Sequence, residues 1–442
     1  MTKKIITASS LGVSNTKINH DALFVIEQLQ KNNYDGYIVG GGIRDILLGK
    51  TPKDFDVVTN ARPEVVRKIF RRNSVIIGRR FKIVHVLFDN INPEKIINNR
   101  PIIERHIIEI STYRSSKVHQ HNLNEHGKIV EDNNYGTQEE DAFRRDFTIN
   151  SLFYDPIKEI IIDYTNGIED IKNKTLRIIG NPKDRYTEDP VRILRAIRLA
   201  IKLEIQIEKK SYAPFAKFKQ LLCNENKWRM YEEMLKIFLS GESLKCIQEL
   251  RNIKLPFKIF PLFDKLFFKN KADEFALKIL EKTDIRLKET NDVSIIFIFS
   301  GLLWSMVEED YNNNYNNGMT KYNALIASIE QHTQFINLLG VTKNIFYAVR
   351  DVWILQIKLE IPQAKNVAKT VLEPRFRQAW HLYSMRHEFQ QVDSDIYSWW
   401  SKYLNENSNK EKLLDELNIL VGKKFSLPQN NKKKKKRDRV NY

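Results

Sequence analysis

VGGGIRDILLGKTPKDFDVVT, residues 39–59, is the stretch on which the reading of this chain turns. An apolar run, YIV at 37–39, ends in Gly40, Gly41 and Gly42, and a helical pattern starts near Ile43. Glycines permit a tight turn and close backbone approach, and amides at a helix start offer a place for phosphate. Glycine-rich strand-to-helix turns are common, so this feature alone decides little. Asp54 and Asp56 sharpen it, because they lie two apart in the strand pattern FDVVT. Their carboxylates then share one face, about 6.6 Å apart along the strand, while Phe55 and Val57 turn to the core. Two like charges on one face repel. Magnesium relieves this, and two ions about 3.5–4 Å apart can be bridged by such a pair. The alternative is the polar outer face of an ordinary strand, which the glycine turn just ahead argues against.

Three further segments carry candidate chemistry. In HIIEIST (106–112), Ile108 and Ile110 face the core and Glu109 the other way. If this strand lies beside the aspartate strand, Glu109 completes a three-carboxylate cradle; otherwise it is an exposed strand acid. In EEDAFRRDFTINSLFYD (139–155), Arg144 and Arg145 offer positive forks for a triphosphate or an RNA backbone. Asp146 suits a ribose hydroxyl, and Asn150 follows a helical turn later; a surface salt-bridge cluster is the plainer reading. In YTEDPVRILRAIRLAIKL (186–203), Pro190 fits the first helical position with Asp189 as cap, and Arg192 and Arg195 share a face. Asp189 and Arg192 can present an acceptor–donor pair to a base edge, although a cap and an exposed arginine face explain much of the pattern.

The chain has 442 residues, too many for one core, with 42% hydrophobic and 29% charged residues. Its net charge of +17 favours a polyanionic partner. Two cysteines, Cys223 and Cys246, make neither a disulfide framework nor a zinc site. No apolar run approaches the roughly 18–20 residues that span a bilayer, and the apolar stretch in MTKKIITASSLGVSN is short for a secretory signal, so a cytoplasmic protein with no membrane partner is expected.

Strand patterns at 37–39, 55–59, 83–88, 106–112 and 151–155 alternate with helical ones up to about 180, and helical periodicity then takes over. Residues 1–20 read as a polar arm, 90–105 as a polar loop and EEDYNNNYNNG (308–318) as a surface loop or insertion. The end, NNKKKKKRDRVNY, carries +6 over 432–442 and reads as disordered.

In this order, these segments resemble the class II nucleotidyltransferases, which include CCA-adding enzymes and bacterial poly(A) polymerases. Gly41, Gly42, Arg44 and Asp45 match the GGxxRD turn, Asp54 and Asp56 the metal pair, and Glu109 the third acid. Arg144, Arg145 and Asp146 match RRD, and Glu188, Asp189 and Arg192 match EDxxR. IIGRRFKIVHVLF (76–88) is similar to the signature of the poly(A) polymerase branch, as are PRFRQAWHLYSMR (374–386), the WW at 399–400 and the lysine tail.

The resemblance implies an α+β architecture: a polymerase β-like nucleotidyltransferase α/β head over 21–185, an all-helical neck over 186–255 that recognises the base, an RNA-binding helical body over 256–420, and a basic tail over 421–442. It implies catalytic Asp54, Asp56, Asp146 and Glu109, with Mg²⁺ at Asp54, Asp56 and Glu109. Nucleotide contacts would come from Gly40, Gly41, Gly42, Arg44, Arg144, Arg145, Asn150, Asp189, Arg192 and Arg195. RNA contacts would come from Arg79, Arg80, Lys432, Lys433, Lys434, Lys435, Lys436 and Arg437. The implied activity adds AMP from ATP to RNA 3′ ends without a template, in bacterial mRNA polyadenylation and decay, with decay-machinery proteins as partners. Alternatives are a CCA-adding enzyme using CTP and ATP, and a catalytically inactive RNA-binding protein.

Overall fold

The computed structural model describes residues 3–78, 82–97, 100–115, 134–255, 273–290, 292–338, 341–406 and 409–425. The chain divides into two compact units, Met1–Asn224 and Glu225–Tyr442.

In chain order, the first unit contains β1 (Lys4–Thr7), α1 (His20–Lys31), β2 (Tyr37–Val39), α2 (Gly41–Leu47), β3 (Asp56–Thr59), α3 (Pro63–Phe70), β4 (Ser74–Ile77), β5 (Ile83–Ile97), β6 (Arg100–Thr112), α4 (Gln138–Arg144), β7 (Leu152–Asp155), β8 (Ile160–Asp163), α5 (Gly167–Lys172), α6 (Pro182–Glu188) and α7 (Val191–Leu203). The eight strands form one sheet in the order β1-β8-β7-β2-β3-β6-β5-β4. Only β3 and β6 run parallel; the other neighbours are antiparallel. A mixed sheet follows from this connectivity, because antiparallel neighbours join by short turns while β3 reaches its parallel partner through α3 and two strands.

One sheet face buries Val39, Val58, Phe153 and Ile162 with Tyr113, Tyr164 and Ala142 of α4. Tyr37, Tyr113 and Tyr164 meet the Phe153 ring edge-on at 6.3–6.4 Å. Side chains alternate along β3, so Asp56 lies on the same face as Val58, and the apolar floor gives way to carboxylate at the start of the strand.

Three expectations about local structure are corrected. Residues 4–7 are not a loose arm: β1 pairs with β8 along its whole length, and Ala8, Val13 and Ile18 are buried behind it. Residues 90–97 and 100–105 are not a loop but part of the β5–β6 pairing, with a register shift between Asn92 and Ile96, where Pro93 falls. A ladder pairs backbone groups whatever the side-chain polarity, and Pro is tolerated at such an irregularity. EEDYNNNYNNG lies mostly in the helix Trp304–Asn316, which buries Trp304, Val307 and Tyr311 at helical spacing. There the packing of one face outweighs the poor helix propensity of asparagine.

The second unit is helical among its described residues. Its largest buried side chains include Trp304, Trp353, Trp400 and Arg386. Trp353 donates to the Ser300 carbonyl at 2.9 Å and Trp400 to the Leu359 carbonyl at 3.0 Å. Arg386 lies 4.3 Å from the Trp304 ring centroid and pairs with Glu360 at 2.7 Å. A buried guanidinium needs such partners, since unpaired burial of a charge is costly. Among the described residues no helix is long and apolar enough to cross a membrane.

Candidate active site

The glycine turn is built as the sequence implies, but its three glycines differ in purpose. Gly40 has φ +71°, a conformation that L side chains avoid. A Cβ on Gly42 would stand 3.0 Å from Phe55 Cδ1 and 3.3 Å from the Asp54 carbonyl, so this glycine lets α2 press against the aspartate segment. Gly41 meets nothing closer than the Arg44 guanidinium at 3.5 Å.

Asp54 sits just before β3 and Asp56 begins it; both are exposed while Phe55 and Val57 are buried, the alternation expected. Asp56 pairs in register with Glu109 on β6, which brings the three acids to one region. Glu109 in turn pairs with His85 on β5, whose Nε2 stands 3.6 Å from the Glu109 carboxylate. Burial pushes the Asp56 carboxyl up to about 6, with the charges of Glu109 and Asp54 adding to the shift and Arg145 opposing it. Although Asp56 reaches solvent, the protein around it removes part of its hydration.

The region therefore holds hard carboxylate oxygens under mutual repulsion, which fits a divalent cation. Among the described residues, no three His, Cys, Asp or Glu side chains converge on one metal-sized point. Glu109 has His85 as a neighbour, so the cradle is assembled by strand register without being closed.

The RRD segment leaves α4, whose start is fixed by a capping box between Thr137 and Glu140. Arg144 and Arg145 fold back onto Asp141, a fully buried carboxylate. Arg144 Nε donates to it at 2.7 Å, and Arg145 donates through Nε at 3.1 Å and Nη2 at 2.9 Å. Burial would raise the Asp141 carboxyl, but Arg145 and Arg144 hold it below the usual range. Arg145 also stands beside the turn, its Nη1 3.8 Å from where a Gly40 Cβ would be. Asp141 was not singled out from the sequence; its i+3 and i+4 spacing to the two arginines was the available signal.

Asp146, expected to meet a ribose, has both carboxylate oxygens engaged within the protein. Its Oδ1 accepts from the Phe147 amide at 2.8 Å and Asn150 Nδ2 at 3.1 Å. Its Oδ2 accepts from Arg195 Nε at 2.9 Å and Nη2 at 2.6 Å. Those four bonds fill a carboxylate's acceptor positions, so Asp146 holds its neighbours. Burial alone would raise it, yet Arg195 and these hydrogen bonds keep it far below the ordinary carboxylate range. Asn150 passes the link on, accepting from Arg44 Nη1 at 2.7 Å, and Arg44 binds Asp45 at 2.6 and 2.8 Å. Arg44, Asn150 and Arg195 thus tie α2, the 3₁₀ turn Thr148–Asn150 and α7 together.

Arg185, also missed from the sequence, donates to the carbonyls of Arg144 and Arg145, the latter at 2.7 Å, and clamps the RRD turn to α6. Asp189 accepts from the Val191 amide at 3.2 Å, one residue ahead of the Pro190 cap of α7. Arg192 Nε lies 3.9 Å from Asp189, and its Nη1 is fixed by the Arg185 carbonyl at 2.7 Å and Glu188 at 2.9 Å. Asp189 and Arg192 thus lie side by side at the start of α7. Arg79, Arg80, Lys432, Lys433, Lys434, Lys435, Lys436 and Arg437 lie outside the described residues.

A mixed sheet carrying paired aspartates beside a glycine turn defines a nucleotidyltransferase fold. The same fold occurs in the solved CCA-adding enzyme of Bacillus stearothermophilus in complex with CTP, with a TM-score of 0.55, 19% identity, and coverage of 91% of this chain and 92% of that one. Three family models match the chain: the poly A polymerase head domain over 36–177, the "Probable RNA and SrmB- binding site of polymerase A" over 204–267, and the polymerase A arginine-rich C-terminus over 317–440. Poly(A) polymerase I of Haemophilus influenzae is 35% identical over 97% of this chain and 95% of its own length. The CCA-adding enzyme of Enterococcus faecalis is also 35% identical, but over 50% of this chain and 49% of its own. The chain belongs to the poly(A) polymerase family.

Proposed function

We propose that this chain adds AMP from ATP to RNA 3′ ends without a template, releases pyrophosphate, and works in the cytoplasm. The observation that carries the reading is the register of Asp56 against Glu109 beside the Gly40–Gly42 turn, in a chain whose likeness to a poly(A) polymerase runs nearly end to end.

Asp54 and Asp56 would hold Mg²⁺ with Glu109 in support; when bound, the metal makes the RNA 3′-hydroxyl a better nucleophile and neutralises charge on the departing pyrophosphate. Asp141 and Arg185 hold the segment from which Arg144 and Arg145 meet the triphosphate, so positive charge is in place before the nucleotide arrives. Asp146, Asn150, Arg44 and Arg195 are positioning residues. Asp189 and Arg192 meet the edge of the incoming base, replacing a template with a protein acceptor–donor pair. His85 orients Glu109.

The test is primer extension: oligo(A) RNA, Mg²⁺, and labelled ATP or CTP offered separately. Long ladders with ATP alone support the reading. Use of CTP with arrest after three additions overturns it in favour of CCA addition, and no incorporation of either overturns the enzyme reading.

A further inference from the structure

In the helical unit, a cavity of about 170 Å³ is lined by Arg286, Asp292, Val293, Ser294, Phe297, Arg377, Gln378 and His381. Two helices begin at it: Ser294 immediately precedes Ile295–Leu302, and Arg377 and Gln378 lie in the first turn of Phe376–Glu388. Both present the positive end of a backbone dipole. Arg377 makes no hydrogen bond or ion pair among the described residues, and its guanidinium is exposed. Arg286 Nη1 lies 3.3 Å from His381 Nε2; since a guanidinium can only donate, the neutral imidazole carries its proton on Nδ1.

Burial lowers the His381 pKa, and the charges of Arg286 and Arg377 lower it further, so both guanidinium charges are felt at one ring. Asp292, the carboxylate of the lining, is exposed and pairs with neither arginine. Gln378 buries its Oε1 with no hydrogen-bond partner. An unpaired buried acceptor costs about 1–3 kcal/mol, whereas half a turn of the amide would present Nε2 to an anion. Two uncompensated guanidiniums, an amide and two helix starts around a phosphate-sized space describe an anion site that the fold leaves unsatisfied. Arg386, elsewhere in the unit, has its charge met by Glu360.

We propose that this cavity binds a phosphate of the RNA strand, giving the helical unit a discrete grip on the RNA backbone. The proposal rests on the reading of the chain as an enzyme that acts on RNA. It is tested on the full chain with Arg377→Gln and with Arg286→Gln/Arg377→Gln, thermal melts checking that each variant is folded. Anisotropy titrations with labelled oligo(A) RNA are run at several salt concentrations.

The double variant is expected to bind about tenfold more weakly, and its log K against log salt slope to shrink by about 0.7, the value for one phosphate contact on a single strand. Arg377→Gln, an exposed position, is expected to show part of the same loss without a change in melting. Unchanged affinity and slope in a double variant that still melts like the parent overturn the proposal. So does a melting shift with inorganic phosphate that the double variant loses while its RNA binding stays intact, because the site then takes a free anion. If the parent protein neither binds oligo(A) nor extends it, the functional reading itself fails, and the variants are not the cause.

Discussion

Replacing Asp141 with asparagine tests the idea that the arginines of the RRD segment are preorganised. Asp141 is fully buried and receives three guanidinium hydrogen bonds at 2.7, 2.9 and 3.1 Å, plus the Arg114 amide at 3.2 Å. Asparagine keeps the shape, removes the charge, and turns one acceptor into a donor that faces donors. Stripping one partner from a buried pair costs about 3–5 kcal/mol. Arg144 and Arg145 keep 29% and 16% side-chain exposure and regain some hydration, so about 2–4 kcal/mol is the expected loss. A stability of about 5–15 kcal/mol survives it.

With Arg145 released, KM for ATP should rise about tenfold, equivalent to about 1.4 kcal/mol. The sign with pH also follows. Asp141 is depressed in the folded state, so its stabilisation is present above the ordinary carboxylate range and is lost only as pH falls through the lowered value. The gap between parent and variant should therefore stay constant from pH 8 to 5 and close in stronger acid. Urea unfolding across pH, with initial rates against ATP, measures both. A variant within about 0.5 kcal/mol of the parent and with the same KM would refute the preorganisation argument.

Asp56→Asn should abolish incorporation while the protein still folds; incorporation at the parent rate would remove Asp56 from the chemistry. Because its folded pKa is raised to about 6, the contribution of Asp56 to stability without metal is full below the ordinary carboxylate range and is lost as pH rises to about 6, so in EDTA the parent should lose stability relative to Asp56→Asn between about pH 4 and 6. A pH-independent difference in melting between the two would contradict this. His85→Ala should raise the Mg²⁺ needed for half-maximal activity, with His85→Gln recovering part of it; identical metal titrations would leave His85 with no part in orienting Glu109. Among the glycines, Gly40→Ala should cost about 1–2 kcal/mol through its φ and Gly42→Ala about 1–3 kcal/mol through overpacking against Phe55, while Gly41→Ala should be tolerated, all read from urea unfolding.

What could be read from the sequence was what depends on local alternation. Buried Phe55 and Val57 between and beside exposed Asp54 and Asp56 follow from a period of two, as do Ile108 and Ile110 around Glu109. Whether Glu109 stood next to Asp56 could only be stated conditionally, because β3 and β6 are parallel and separated by α3, β4 and β5 in the chain. The same limit hid His85, which belongs to the site only because β5 pairs with β6. Elements were misread where composition and packing disagree. KIIT at 4–7 is too short to signal a strand, and the asparagines of 308–318 mask a helix held by Trp304, Val307 and Tyr311.

Roles were harder to read than positions, for an electrostatic reason. A site that receives a triphosphate needs several guanidiniums close together, and before the ligand arrives they repel one another. The fold answers by threading buried and part-buried carboxylates among them: Asp141 under Arg144 and Arg145, Asp146 under Arg195, Asp45 beside Arg44. Each of those carboxylates looks in the sequence like a candidate ligand contact or like nothing at all. Held in this way, the cations need little reorganisation when a nucleotide binds, which is where electrostatic catalysis gains most. It follows that the motif residues fall into two groups that experiment can separate. Changes at Asp141, Asp146, Arg44, Asn150 or Arg195 remove satisfied internal bonds and should lower stability and activity together. Changes at Asp54 or Asp56, whose charges repel without a cation, should lower activity and leave stability equal or higher.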